Sequence, residues 1–218
     1  MFEAVIFDWD GTLADTRAVI VTSFQKTLSE IGITITNEYI ERRIGIGAAE
    51  TFREILREAK RPVDEALVKR LVECKSQIQI DLKGQVQLFA GVRDLLEALQ
   101  GKIKVGLASM NSRSVIETML QANGLEKYFQ VIVTGDMVSH SKPDPEIFLK
   151  CAQLLKALPE RCVVVEDSIF GVKAAKKGGM GCIGVTTGVY SGHELDKENP
   201  NLIVASLKDK EAFEFILS

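Results

Sequence analysis

The chain of 218 residues is short of the side chains that mark several large classes of protein. It has two histidines and four cysteines, and Cys74, Cys151, Cys162 and Cys182 lie far apart with no Cys-x-x-Cys pair. A His/Cys zinc site draws on closely spaced ligands of those two types, so none is expected. Scattered cysteines read as small buried hydrophobes in a reducing compartment, which makes the cytoplasm the expected location. Positive charge is not in excess: 27 Lys and Arg face 30 Asp and Glu, a net charge of −3. A nucleic-acid partner is therefore not expected. No apolar run approaches the ~18–20 residues that span a bilayer, and no basic segment leads into a longer apolar stretch at the start. Neither a membrane span nor a secretory leader is expected. The composition, 46% apolar and 26% charged, is that of an ordinary globule with a sizeable core. Its length suits one large domain, or a core with a smaller one inserted.

Short β-rich runs at 3–7, 104–108, 131–134, 162–165, 182–185 and, more weakly, 202–205 alternate with helical patterns. The helical stretches fall at 91–99, 114–122, 145–155 and 170–177. The middle runs are almost continuously apolar, as expected of strands covered on both faces. Asp144 before Pro145 offers a capping carboxylate and a proline at the first helical position. Strand–helix alternation predicts an α/β fold, a parallel sheet with helices on both faces.

From 17 to 82 the alternation stops and the pattern is helical throughout. Ile20, Phe24 and Leu28 recur every fourth residue, and Gly32 ends that helix. Phe52, Ile55, Leu56 and Ala59 mark another helix; Leu67, Leu71, Cys74 and Ile78 mark a third that starts after Asp64. A short fourth is expected at 37–43. The predicted division is a core of 1–15 and 88–218 with a helical cap, 16–87, inserted after the first strand. Hinges are expected at 14–16 and 83–89.

Asp8 and Asp10 stand one residue apart at the end of the first apolar run, and Gly11 follows. In a strand, side chains i and i+2 share a face, so both carboxylates enter one small space. Like charges that close need a cation or a shared proton. A lone Asp-x-Asp is more often a solvated turn, so the other strand ends decide. Ligands of open α/β sheets gather outside the carboxyl ends of the strands. There Ser109, Met110, Asn111 and Ser112 open a helix, and a hydroxyl with free backbone N–H groups makes an anion site. Lys142 stands in the turn Ser141-Lys142-Pro143-Asp144-Pro145, and Glu166 and Asp167 follow the run at 162–165. Asp8, Asp167 and a backbone carbonyl near Asp10 form an all-oxygen set suited to a hard cation, most simply Mg²⁺. Ser109, the amides after it and Lys142 suit a phosphoryl group. A carboxylate beside metal and phosphate can attack as a nucleophile, and its neighbour can move the leaving group's proton.

This layout resembles the haloacid dehalogenase superfamily of phosphotransferases over essentially the whole chain. The motifs are Asp8-Trp9-Asp10-Gly11-Thr12-Leu13, Ser109, Lys142 in Ser-Lys-Pro-Asp-Pro, and Val165-Glu166-Asp167-Ser168. The resemblance implies a Rossmann-like parallel sheet with a C1-type helical cap inserted after the first motif. It makes Asp8 the nucleophile and Asp10 the general acid/base. Ser109, Met110, Asn111 and Lys142 bind phosphate. Asp8, Asp10 and Asp167 hold Mg²⁺, with Glu166 and Thr12 behind them.

Asp10 favours phosphoester chemistry, because the dehalogenase and phosphonate branches lack an acid there. Sugar-phosphate mutases of the beta-phosphoglucomutase type place a histidine where this chain has Ile20, and an arginine in a Ser-Arg pair where it reads Gly45-Ile46-Gly47-Ala48-Ala49-Glu50. The low-charge Gly-x-Gly loop is closer to the phosphoglycolate phosphatase branch. The reading is a phosphatase of small phosphomonoesters with an aspartyl-phosphate intermediate; the mutase is the alternative. A phospho-acceptor domain resembling bacterial receivers also combines acids, a lysine and Mg²⁺, but such modules have no cap and no second acid two residues on. The expected partner is a small phosphorylated metabolite, and the expected state a monomer or small homo-oligomer. Trp9 is expected to pack in the core. Arg17, Arg42 and Arg43 are candidates to meet a substrate carboxylate, while His140, His193, Lys173, Lys176 and Lys177 read as surface groups.

Overall fold

The computed structural model describes residues 1–218. In chain order the elements begin with β1 (Ala4–Phe7), β2 (Ala14–Asp15) and the helices α1 (Arg17–Ser29), α2 (Asn37–Glu41), α3 (Ala48–Glu58) and α4 (Glu65–Asp81). Then come β3 (Gln87–Leu88), α5 (Val92–Leu99), β4 (Lys104–Ser109), α6 (Arg113–Asn123), β5 (Val131–Thr134) and α7 (Glu146–Leu155). The chain closes with β6 (Cys162–Glu166), α8 (Ile169–Lys177), β7 (Gly181–Val185), α9 (Gly192–Asp196), β8 (Leu202–Val204) and α10 (Lys210–Ile216).

Six strands form one parallel sheet in the order β5-β4-β1-β6-β7-β8. Every side chain of β1 is buried, because both faces of the sheet are covered. Val5 and Phe7 join one core with Leu96 of α5, Ile116 of α6 and Ile216 of α10. Ala4 and Ile6 turn to the other, with Phe148 of α7 and Val172 of α8. The period-2 alternation of the strand thus feeds two cores at once, which is why its sequence shows no polar side. From β1 the chain builds outward through β4 and β5, then returns to build through β6, β7 and β8. That reversal opens a crevice at the carboxyl ends of β1, β4 and β6, where ligands of such sheets bind.

The helical insert has its own core, including Phe24, Leu28, Phe52, Ile55 and Leu71. The rings of Phe24 and Phe52 lie 4.7 Å apart, fixing α1 against α3. Asp64 caps α4 by accepting the N–H of Ala66 at 3.0 Å. Gly32, with φ +68°, follows the end of α1 as expected.

Several details differ from the sequence reading. The buried face of α4 is Val68, Leu71, Lys75, Ser76 and Gln79, whereas Leu67, Cys74 and Ile78 are half-exposed. The helix is rotated because it must cover a polar site as well as the insert's core. The two hinge segments pair as an antiparallel ribbon, Ala14 with Leu88 and Asp15 with Gln87. Two residues are too few to show a period. Helices α9 and α10 also escaped notice, being short; α9 is held by a reciprocal Ser191–Glu194 cap. Helix α7 starts one residue later than expected, with Asp144 still accepting the N–H of Glu146 at 2.9 Å. No helix is long and apolar enough to cross a membrane.

Candidate active site

Asp8 leaves β1 pointing into the crevice, and its carboxylate is almost wholly buried. Lys142 reaches it from the loop after β5, with Nζ 2.7 Å from Asp8 Oδ1 and 2.6 Å from Glu166 Oε1. The other Glu166 oxygen accepts the N–H and hydroxyl of Ser168 at 2.8 and 2.9 Å, so both ends of that carboxylate are engaged. Asp167 accepts the Thr12 hydroxyl at 3.1 Å through Oδ1. Its Oδ2 lies against backbone: a Cβ on Gly11 would come 2.2 Å from it, and one on Gly188 1.8 Å. Gly11 also has φ +79°, so the turn after β1 needs a glycine on both counts.

Burial pushes the Asp8 carboxyl well above the usual range; Lys142 opposes this, and the charges of Glu166 and Asp10 reinforce it. Burial likewise raises Asp167, with Glu166 and Asp8 adding to it. For Lys142, burial alone would lower the pKa, but Asp8 and Glu166 outweigh it and raise it. One cation among three buried acids is too few to balance them, and without a second the acids are driven toward protonation.

That imbalance is the test of fit for Mg²⁺, and the residues pass it. Buried carboxylate oxygens in excess over cations, with Asp167 Oδ2 close against the Gly11 and Gly188 backbone, form a donor set for a hard divalent ion. Asp8 and Asp167, the acids in question, sit at the ends of adjacent strands. His140, Asp144 and Glu146 also bring donor atoms within 4.8 Å of one another. There, however, Glu146 accepts the N–H groups of Ser139 and His140, and Asp144 that of Glu146. This trio braces the loop that carries Lys142.

Asp10 belongs to a different set of contacts. Thr16 donates its hydroxyl to Oδ1 at 2.8 Å, and the Asn111 side-chain amide donates to Oδ2. Asn111 in turn accepts from Lys75 Nζ at 3.0 Å, and Lys75 also donates to Gln79. Burial raises the Asp10 pKa, opposed by the charge of Lys75 and the Thr16 hydroxyl. Burial lowers Lys75 to about 8, with Asp10 pulling the other way. The insert thus reaches the second acid through Lys75 and Asn111, a link the sequence reading missed. Its signal was a lysine at the fourth position after Leu71, on the buried side of a helix.

The remaining expected residues fall around these. Ser109 is fully buried at the end of β4, and its Oγ accepts the Asn111 N–H at 3.2 Å, so that amide is not free in this state. Met110 lines a cavity over Asp8 and Asp10, roofed by Ile20, Phe24, Ile40 and Ile44. Arg43 also reaches this cavity but is paired with Glu54 at 2.6 Å. Arg17 pairs with Glu41 and Arg42 with Glu194, both away from the acids. Trp9 is buried in the core as expected. His140 and His193, the latter in α9, are both exposed, as expected of surface groups. Lys173 pairs with Glu198 and Lys176 with Asn201 on the outer side of α8.

Comparison with known proteins agrees with this geometry. The family model described as haloacid dehalogenase-like hydrolase matches residues 5–185. A protein of Thermotoga maritima named phosphorylated carbohydrates phosphatase is 38% identical over 181 residues, covering 82% of each chain. Protein CbbY of Cereibacter sphaeroides is 32% identical over 203 residues, covering 89% of this chain and 88% of its own. The crystal structure of a beta-phosphoglucomutase from Clostridium difficile superposes with a TM-score of 0.87 at 28% identity, covering 100% of this chain and 97% of that one. With the motif order, the crevice chemistry and a match over most of its length, the chain belongs to the haloacid dehalogenase-like hydrolases.

Proposed function

We propose that this hydrolase is a Mg²⁺-dependent phosphatase of small phosphomonoesters that works through an aspartyl phosphate on Asp8. The observation that carries the reading is the pairing of Asp8 with buried Lys142 on one side and a cavity holding Asp10 on the other. Lys142 opposes the burial that raises the Asp8 carboxyl, which favours the ionised form a nucleophile needs, and it supplies positive charge beside the phosphoryl group. Asp10 is suited to the opposite state. It has no cation in direct contact, only the Thr16 hydroxyl and the Asn111 amide, so burial favours its protonated form, which can donate to the departing alkoxide. Once the alcohol has left, Asp10 is a base for the water that hydrolyses the acyl phosphate.

Asp8, Asp167 and the backbone carbonyl of Asp10 are the groups proposed to hold Mg²⁺, with Glu166 beyond them. When bound, the ion supplies charge neutralisation for the transferring group, where most phosphoryl-transfer catalysis lies. Ser109, Met110 and Asn111 are proposed to bind phosphate with Lys142. The proposed cap is 16–87, turning on the β2–β3 ribbon to admit substrate and then exclude water. Ile20 supports hydrolysis over the mutase: it is apolar and lines the cavity, so no base stands there to accept a proton from a second hydroxyl. The names of the relatives, a phosphatase of phosphorylated carbohydrates among them, agree with this class of substrate.

The test is phosphate release from a panel of phosphoglycolate, pentose and hexose phosphates and an aryl phosphate, before and after chelation. Release that stops with chelator and returns with Mg²⁺ is expected. Conversion of hexose 1-phosphate that depends on added bisphosphate, without net release, would replace the phosphatase with the mutase.

A further inference from the structure

Lys75 of α4 is buried, and its Nζ is held by uncharged groups. It donates to Gln79 Oε1 and, at 3.0 Å, to Asn111 Oδ1, and lies 5.4 Å from the centre of the Phe24 ring. A buried ammonium with no carboxylate in contact is costly, and burial lowers this one to about 8. An apolar side chain on the same face of α4 would cost less. The lysine's place therefore calls for a reason other than stability. Its charge acts on Asp10, yet the two side chains are joined only through Asn111.

An asparagine amide can be turned end for end, because its oxygen and nitrogen are alike in size and opposite in hydrogen bonding. At Asn111 the neighbours leave no choice. An ammonium only donates, so Lys75 claims Oδ1, and the Nδ2 group is then aimed at Asp10 Oδ2. The Asn111 backbone is fixed as well, its N–H donating to Ser109 Oγ at 3.2 Å. From the start of α1, the Thr16 hydroxyl donates to Asp10 Oδ1 at 2.8 Å. Both oxygens of the acid are thus held, one from each side. Without Lys75, the amide is free to turn its own oxygen toward Asp10, and the carboxyl loses its fixed direction.

We propose that Lys75 is a positioning residue for the reaction: it orients the Asn111 amide, and the amide aims the Asp10 carboxyl at the leaving oxygen. The inference rests on the phosphatase reading above and adds a residue of the insert to it. Lys75 acts through Asn111 and not by contact with the substrate. Because Oδ2 faces an N–H, Oδ1 carries the transferable proton. That proton passes to the ester oxygen as its bond to phosphorus breaks.

An alkoxide needs that proton to leave and a nitrophenolate does not, so two kinds of ester separate positioning from packing. The experiment measures kcat/KM for an alkyl phosphate and for nitrophenyl phosphate. It compares the unmodified chain, Lys75→Met, Asn111→Leu and the double variant, each with its melting transition verified. Lys75→Met should lower kcat/KM for the alkyl ester about tenfold more than for the aryl ester, part of the roughly 10²–10⁴ that a placed acid supplies. Asn111→Leu should show the same preference, and the double variant should be no worse than Asn111→Leu alone. Equal losses on both esters, in either single variant that folds, would make the contact structural and overturn the proposal. Losses that add in the double variant would give Lys75 a substrate contact of its own and also overturn it. Both outcomes leave the phosphatase standing. Release from neither ester by the unmodified chain would overturn the phosphatase, and the inference with it.

Discussion

Lys142 Nζ lies 2.7 Å from Asp8 Oδ1, and both side chains are buried. A pair this dry costs much to desolvate, and its loss on one side costs more, because the other charge is left alone. Lys142→Met should therefore lose about 3–5 kcal/mol at neutral pH and abolish detectable phosphate release. Urea unfolding and a release assay check the two halves. Unchanged stability would mean that the acids find another cation.

Gly11 and Asp167 set a second expectation. Gly11→Ala places a methyl 2.2 Å from Asp167 Oδ2 at a φ of +79°. The turn must shift, displacing an acid assigned to the metal. In thermal melts, Mg²⁺ should stabilise the unmodified protein by about 2.7 kcal/mol at one hundred times its Kd. Gly11→Ala and Asp167→Asn should both lose most of that increment. An equal increment in Asp167→Asn would remove Asp167 from the metal site.

Lys75 titrates at about 8 in the folded protein against an ordinary 10.5. Between those values the unfolded chain holds a proton that the folded one has released, so stability from this group rises with pH. The charge carried inside costs about 3 kcal/mol at neutral pH, and the cost is relieved between pH 8 and 10.5. Unfolding free energies of the unmodified protein and Lys75→Met should keep a constant gap below pH 8, then shift in favour of the lysine above it. A gap that does not change with pH would place Lys75 in contact with water.

Tyr190 donates its hydroxyl to the carbonyl of Arg42 at 2.5 Å, and the Arg42 guanidinium sits 4.3 Å from the Tyr190 ring centre. Arg42 also pairs with Glu194. These contacts tie the insert to the core through residues other than Lys75. Tyr190→Phe removes one hydrogen bond, worth about 0.5–1.5 kcal/mol. Hydrogen exchange should quicken in the segment around Arg42 while the sheet stays protected. Faster exchange throughout the sheet would make Tyr190 a global stabiliser and not a clasp.

The sheet and the acids were legible because each followed from a short-range rule. Continuous apolar runs gave the buried strands, and strand ends gave Asp8, Asp10, Lys142, Glu166 and Asp167 as neighbours. What could not be read depends on how the insert sits on the core. Lys75 meets Asn111 across 36 positions of sequence, and no local pattern encodes that meeting. The rotation of α4 toward Ser76 and Gln79 was hidden because Leu67, Cys74 and Ile78 offer an equally good apolar stripe. The ribbon at Ala14–Asp15 and Gln87–Leu88 was hidden by its brevity. Arg42 was read as a candidate for substrate, yet it holds Glu194, a partner 152 positions away.

The central claim is that the carboxylate of Asp8 attacks phosphorus. Asp8→Asn keeps the size of the side chain and removes its nucleophilic oxygen. The direct measurement is phosphate release by this variant beside the unmodified protein, with folding verified by its melting transition. Loss of release in a folded Asp8→Asn protein is the predicted result. Release at the unmodified rate would contradict the account and move the nucleophile elsewhere.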